Sequence, residues 1–382
     1  MATYFNNEQS ILIELYRLEQ YQEILFQLKS SYEYTINIKL DSYKYKKLSN
    51  FISLWIINQF NILPNNEIIP DPFFPFNGSE YKQLEKNLIN LKFINSANEF
   101  TLLMNEWNIK LKFNNACKSI TKFIQSSTYI EMKNKIILNV YNESINGINY
   151  KKLKLVDQPF KFTHNKPDKF HITESLYNKL NTHLSNNEIY ILLLRYHMLD
   201  AESHQLAIIP TFYAELQKKY NIDIELFASS INNYFPSFAS LFPDIEHKTG
   251  SIGYFNHIEL NISNTNGFFM VANPPFDENI MLAMSIKFLS WLTLNIPISI
   301  ILIIPQWGAY GTFESLEILN NSPYIMHKTI INKMDAHFFN HIKNKDVNPC
   351  NIYIILLQNE SSKQKYNNLS TDLLAIQNLI FN

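Results

Sequence analysis

The sequence predicts an α/β protein, in which a mainly helical segment precedes a twisted, mostly parallel sheet. Three observations carry this. Beyond about residue 165, apolar runs at 222–227, 268–272, 298–304 and 350–357 alternate with stretches of helical periodicity, the pattern of successive β/α crossovers. Phe268 to Ala272 is apolar without interruption, as expected of a central strand covered on both faces. The chain before that point instead carries helical spacing, beginning with Ile11, Leu12, Leu15, Leu18, Ile24 and Leu25 between Asn7 and Leu28.

The 382 residues have room for two domains. The expected division is 1–165, mainly helical, and 166–382, the α/β part. With 46% hydrophobic and 14% aromatic residues, both can build cores. A formal net charge of −1 excludes a globally basic nucleic-acid binder, so any such surface must be a local patch. Nearly all the basic residues are lysine, Arg17 and Arg195 being the exceptions. Cys117 and Cys350 are too few for a disulfide or thiolate framework, which points to a reducing compartment. No signal peptide and no apolar run of about 18 residues is present, so the expectation is a soluble intracellular protein, with nucleus or cytoplasm open.

Each element follows from local pattern. Proline punctuates 63–76, which reads as a loop, and helices are expected over 81–91 and 97–126. The segment 135–162 alternates apolar and polar residues around Asn146-Gly147, a hairpin signal. Helices follow at 172–184, 187–198 and 210–220, then strands at 222–227, 268–272, 298–304 and 350–357. Ile280, Met281, Met284, Phe288, Leu289 and Leu292 recur at helical spacing between two of those strands.

Asn273-Pro274-Pro275-Phe276 leaves the 268–272 strand at its carboxyl edge, where open sheets place ligands. The Asn273 amide oxygen and the Pro274 carbonyl are two acceptors suited to one exocyclic amine, such as that of adenine. Holding both its hydrogens withdraws the nitrogen lone pair from the ring and aims it at a methyl donor. Pro275 fixes the backbone and offers no competing N–H, and Phe276 can stack on an extruded base. Such a loop contributes orientation more than acid/base power, which suits in-line transfer from a sulfonium. The other reading is a proline stop after a strand with an asparagine turn.

The chain has seven glycines and no GxGxxG. In the position of a cofactor loop stands 225–232, with small Ala228, Ser229 and Ser230 where backbone must approach a ligand. Glu225 there is either a ligand for a cofactor amine or ribose or a solvated strand-end acid. Next come Asp244 and Glu246, of which Asp244 is the preferred ribose partner, and the turn Gly250-Ser251-Ile252-Gly253. An ordinary surface loop is the competing reading.

Taken together, ELFASSINNYF, FPDIEHKTGSIGYF, GFFMVANPPFDENIM, IIPQW and IYIILLQNE, preceded by LLLRYHML and Gln205, resemble the catalytic core of the phosphorylated-CTD-interacting-factor family over about residues 170–360. The resemblance implies a class I S-adenosylmethionine-dependent methyltransferase (Rossmann-like) sheet and N6-methylation of the 2′-O-methyladenosine beside an mRNA cap, with capped RNA as partner. It implies Asn273, Pro274, Pro275 and Phe276 as the catalytic loop, and Glu225, Phe227, Ala228, Ser229, Asp244, Gly250, Ser251 and Asn273 around S-adenosylmethionine. On the substrate side it implies Phe276, Glu278, Gln306, Trp307 and His337. Glu278 is equally a helix-start acid, and for Trp307 a core tryptophan is the competing reading. No metal is expected, because His337 has no Cys/His cluster around it. Ile252 and Gln306 depart from the family pattern, which has arginine and an acid there. The WW domain of animal members is not expected, since Trp55 and Trp107 are too far apart, and polymerase-tail binding is not implied.

NPPF specifies an amine and not a polymer, so an N6-adenine methyltransferase of DNA or internal RNA, or a silent subunit with the same fold, are the alternatives. Tyr43-Lys44-Tyr45-Lys46-Lys47 and Tyr150-Lys151-Lys152-Leu153-Lys154, with Lys161, Lys166 and Lys169, mix cations with aromatics. These read as solvated faces or as surfaces that follow a nucleic-acid backbone.

Overall fold

The computed structural model describes residues 9–62, 71–74, 84, 85, 88, 89, 92–157, 163, 164, 166–199, 205–306 and 313–381. It comprises two compact units, Met1–Ala201 and Glu202–Asn382.

The first unit contains α1 (Ile11–Ile36), α2 (Ser42–Ile62), α3 (Ala97–Trp107), α4 (Ile109–Ile124) and α5 (Ser127–Met132). α1 outruns its expected end at Leu28 because its buried stripe continues to Tyr32. The single helix expected over 97–126 is two, since Asn108 adopts φ 40, ψ 51 and its N–H closes on the Met104 carbonyl at 2.9 Å. A left-handed residue ends a helix in this way. Residues 84, 85, 88 and 89 are helical; the rest of 81–91, except 84–85 and 88–89, lies outside the described residues, as does most of 63–76.

A three-stranded antiparallel sheet follows: β1 (Ile137–Ile145), β2 (Ile148–Asp157) and β3 (Lys169–Thr173). Asn146 and Gly147 join the first two with φ 51 and 79, the paired positive angles of a tight I′ hairpin turn. Because 169–173 is strand, the helix expected from 172 starts later, as α6 (Glu174–Asn181) capped by the Thr173 hydroxyl. α7 (Asn186–Met198) completes the unit behind a Ser185/Glu188 capping box.

The two units divide downstream of the boundary expected at residue 165. β3 hydrogen-bonds to β2, and Arg195 of α7 donates to Glu14 Oε1 of α1 at 2.7 Å. Arg17 pairs with the same Glu14 and donates to Asp71 Oδ2 at 2.9 Å. Both arginines of the chain are therefore spent in one buried network, where a planar guanidinium serves better than an ammonium.

The second unit is a three-layer α/β arrangement. Its elements are β4 (Leu206–Ile208), α8 (Pro210–Gln217), β5 (Ile224–Leu226), α9 (Pro243–Glu246), β6 (Phe268–Ala272), α10 (Glu278–Leu292), β7 (Ile298–Pro305), α11 (Glu314–Asn320), β8 (Ile325–Ile331), β9 (Phe338–Asn340), β10 (Lys345–Val347), β11 (Ile352–Gln358), α12 (Glu360–Lys365) and α13 (Leu369–Phe381). The main sheet has the order β5-β6-β7-β11-β8, and β10-β9-β4 form a small second sheet. β6 runs parallel to β5 and β7, whereas β11 is antiparallel to β7 and β8. The sheet is thus mixed, not mostly parallel, because β11 enters it in reverse between β7 and β8.

β7 is buried at every position. Ile298, Ile300, Leu302 and Ile304 face the core built with α10, and Ile301 and Ile303 face the core built with α8 and α13. This two-sided cover is why its sequence is an unbroken apolar run. Beyond β5, single parallel bridges join Glu225 to Phe238 and Phe238 to Ser251. The chain therefore builds outward from β5 through 238 and 251, then returns to lay β6 on its other side. That reversal is a topological switch point, and the crevice outside the carboxyl ends of β5 and β6 is the place where open α/β sheets hold ligands.

Candidate active site

Two loops and one strand end meet at this crevice. After β5, Phe227 adopts φ 63, an uncommon conformation for a non-glycine residue and one concentrated at functional loops. Its ring lies 4.3 Å from that of Phe255. Ser229, which follows, is buried; its Oγ donates to Gln205 Oε1 at 2.6 Å and its N–H donates to Asn232 Oδ1 at 2.7 Å. Gln205 leads directly into β4, whose Leu206 carbonyl receives a long 3.4 Å bond from Asn273 Nδ2. Residues 205 and 206 consequently tie the loop after β5 to the loop after β6.

That bond turns the Asn273 amide so that Oδ1 remains an acceptor. Among the described residues, neither Asn273 Oδ1 nor the Pro274 carbonyl receives a hydrogen bond. The Pro275 carbonyl is used instead, accepting from Asp277 N–H at 2.7 Å. Asp277 then caps α10, its Oδ1 accepting from Asn279 N–H at 3.1 Å and Ile280 N–H at 3.3 Å. Burial pushes the Asp277 carboxyl pKa up, against the lowering effect of those two N–H groups. Phe276 is half-buried and meets Phe338 of β9 edge-on at 6.1 Å. The loop is thus fixed from both sides, by β4 at Asn273 and by β9 at Phe276.

The acids behind the crevice are internally engaged. Glu225 is buried and its Oε2 accepts from the N–H groups of Tyr234, 2.7 Å, and Phe235, 3.1 Å. Glu246, fully buried, accepts from Ser230 N–H at 2.7 Å and Phe242 N–H at 3.1 Å. Both carboxylates hold loop backbone, a role local sequence does not reveal. Asp244 is buried on the short α9 beside them. Ser251 Oγ lies 2.6 Å from Ser240 Oγ.

Gly250 has φ 110, and a Cβ there would fall 1.9 Å from the Pro236 carbonyl oxygen. Gly250→Ala is expected to destabilise the second unit by roughly 1–3 kcal/mol, read as a lower midpoint in urea unfolding. Gly253 also has positive φ, but a Cβ there meets nothing within 4 Å, so its backbone borders open space. Small side chains at 228–230, the Phe227 and Phe255 rings and this open backbone fit an adenosine-bearing cofactor.

On the substrate side the expected residues separate. The Glu278 carboxylate holds the start of α11, accepting from Ser315 N–H at 2.8 Å and Ser315 Oγ at 2.7 Å. Glu278→Ala is expected to cost about 1 kcal/mol through this lost cap, measurable as a fall in thermal midpoint that Glu278→Gln partly restores. Gln306 follows β7, and its Oε1 accepts from Asn351 Nδ2 at 3.0 Å. Trp307 lies outside the described residues. His337 is half-buried, and its carbonyl accepts from Ile209 N–H at 3.3 Å; the adjacent Phe338 is the residue that reaches Phe276. Leu206 escaped the sequence reading because three-residue strands carry no periodic signal. Among the described residues no group of His, Cys, Asp or Glu is placed to hold a metal ion, and no helix is long and apolar enough to cross a membrane.

Residues 168–341 match the family described as "Phosphorylated CTD interacting factor 1 WW domain". The chain is also 30% identical over 150 residues to an mRNA (2'-O-methyladenosine-N(6)-)-methyltransferase of Mus musculus, and 31% identical over 150 residues to the protein of that name from Homo sapiens. Each match covers 37% of this chain and 20% of the relative, so the chain spans about a fifth of the length of the curated relatives it matches.

Proposed function

Residues 168–341 belong to the phosphorylated-CTD-interacting-factor family, and from this premise we propose that the chain is an S-adenosylmethionine-dependent N6-methyltransferase acting on the adenosine beside an mRNA cap. The observation that carries the reading is the pair of uncommitted acceptors, Asn273 Oδ1 and the Pro274 carbonyl, at the switch point of the sheet. One exocyclic amine can donate a hydrogen to each. The fold that fits is a class I methyltransferase sheet carried by the second unit, with the first unit contributing to RNA binding.

S-adenosylmethionine, when bound, supplies an electrophilic methyl group. The protein's part is placement. Phe227, Ala228, Ser229, Gly250 and Ser251 would border the cofactor, Asp244 would take its ribose hydroxyls, and Asn273 would stand between cofactor and base. Glu225 and Glu246 support that site by holding the 230 and 234–235 backbone. Phe276, braced by Phe338, offers its ring to the base, and Gln306, Trp307 and His337 remain candidates for the cap-side contacts. No general base is needed, because the amine sheds its proton to water after transfer.

Methyl uptake by capped RNA, uncapped RNA and DNA, each offering adenosine, tests the reading. Transfer to capped RNA beginning with adenosine is the expected result. Preference for DNA or uncapped RNA would reassign the polymer, and failure to bind S-adenosylmethionine in calorimetry would sink the enzyme altogether.

A further inference from the structure

We propose that the solvent face of the β1-β2-β3 sheet is a platform for single-stranded RNA. Strand alternation puts Tyr150, Lys152 and Lys154 on one side of β2, while Leu153 and Leu155 point into the core. The register adds neighbours to that same side. Tyr141 lies opposite Lys152 and Glu143 opposite Tyr150 on β1; His171 lies opposite Lys152 and Lys169 opposite Lys154 on β3. Tyr141 is 43% exposed, and it sits diagonally from Tyr150, roughly 7–8 Å away for such a pair.

The charge on this face is unbalanced. Glu143 is its acid, and it is engaged by Lys152 at 2.6 Å with His171 3.6 Å away. Lys154 and Lys169 oppose each other directly, an arrangement that destabilises a sheet. Among the described residues neither forms an ion pair. A phosphate lying across the two strands compensates that repulsion, and the two tyrosines offer stacking surfaces to its bases. Duplexes hide their base faces, so the chemistry selects a single strand. The choice of RNA rests on the proposed function; the surface itself does not.

The test is fluorescence anisotropy of the full chain with a labelled oligouridine of about 15 nucleotides, long enough for the site sizes of such platforms and offering no adenine to the catalytic loop. Tyr141→Ala with Tyr150→Ala is expected to weaken binding by about tenfold or more, and the two phenylalanine variants to retain it. Lys154→Ala with Lys169→Ala is expected to flatten the slope of log K against log salt by about 1.4. Circular dichroism and unchanged unfolding midpoints establish that the variants are folded. Full affinity in both sets overturns the proposal and leaves the face to a protein partner, as does equal affinity for an RNA duplex. Oligouridine binding is read without methyl transfer, so a failure of the catalytic reading leaves this result standing.

Discussion

Asn273→Ala is expected to lower methyl transfer by a factor on the order of 10²–10³, the effect of deleting one preorganised polar group at a reacting centre, while the protein stays folded. The side chain makes one long bond, to the Leu206 carbonyl at 3.4 Å, so its loss costs at most about 1 kcal/mol of stability. The damage belongs chiefly in kcat, since the amine loses one of two acceptors while the other contacts to cofactor and RNA remain. Asn273→Asp sharpens the result. It keeps an acceptor toward the amine but sets a carboxylate oxygen against the Leu206 carbonyl, so it should retain more activity than alanine with a lower unfolding midpoint. Near-normal turnover in Asn273→Ala removes the mechanism.

The largest stability effect is expected at the opposite end of the chemistry, in the buried Glu14 network. Glu14→Ala strips Arg17 and Arg195 of their shared carboxylate inside a buried network. Breaking such a network costs about 3–5 kcal/mol, enough to unfold a marginal unit and visible as a collapse of the urea midpoint. The same site predicts acid sensitivity. Burial by itself raises the Glu14 pKa, but Arg17 and Arg195 outweigh it and hold the carboxyl below its ordinary value of 4.5. In the unfolded chain it titrates near that ordinary value, so its contribution is complete above it and lost as pH falls through the lower folded value. Unfolding midpoints followed from pH 7 downward check this; a midpoint that is flat through the acid range would exclude it.

Local chemistry made some elements legible and left others silent. Phe268–Ala272 was readable to the residue because a doubly covered strand must be apolar at every position, and the Asn146-Gly147 hairpin because few residues accept two positive φ angles in succession. The scarcity of arginine was plain in the sequence, but its use was not, since Arg195 and Glu14 are 181 residues apart. Similarly, nothing near Glu278 announces Ser315, 37 residues on, so its hold on the α11 start is not legible in the sequence. β4, β9 and β8 went unseen for a related reason. Two are three residues long, and β8 is a half-exposed edge strand with polar interruptions. The NPPF loop stood out in the sequence, but the short β4 strand that braces it did not.

The placement of β11 sets the timetable for assembly. β8 is made before β11, yet pairs only with it among the described strands, so on the ribosome β8 must wait unpaired until residues 352–358 emerge. The crevice loops after β5 and β6 are synthesised about 80 or more residues earlier and rest on a sheet that is still open at one side. Truncation just upstream of Ile352 would therefore strip the sheet of two strands at once, and until β11 emerges the nascent second unit carries an unpaired edge, a feature that makes partly folded chains prone to aggregate.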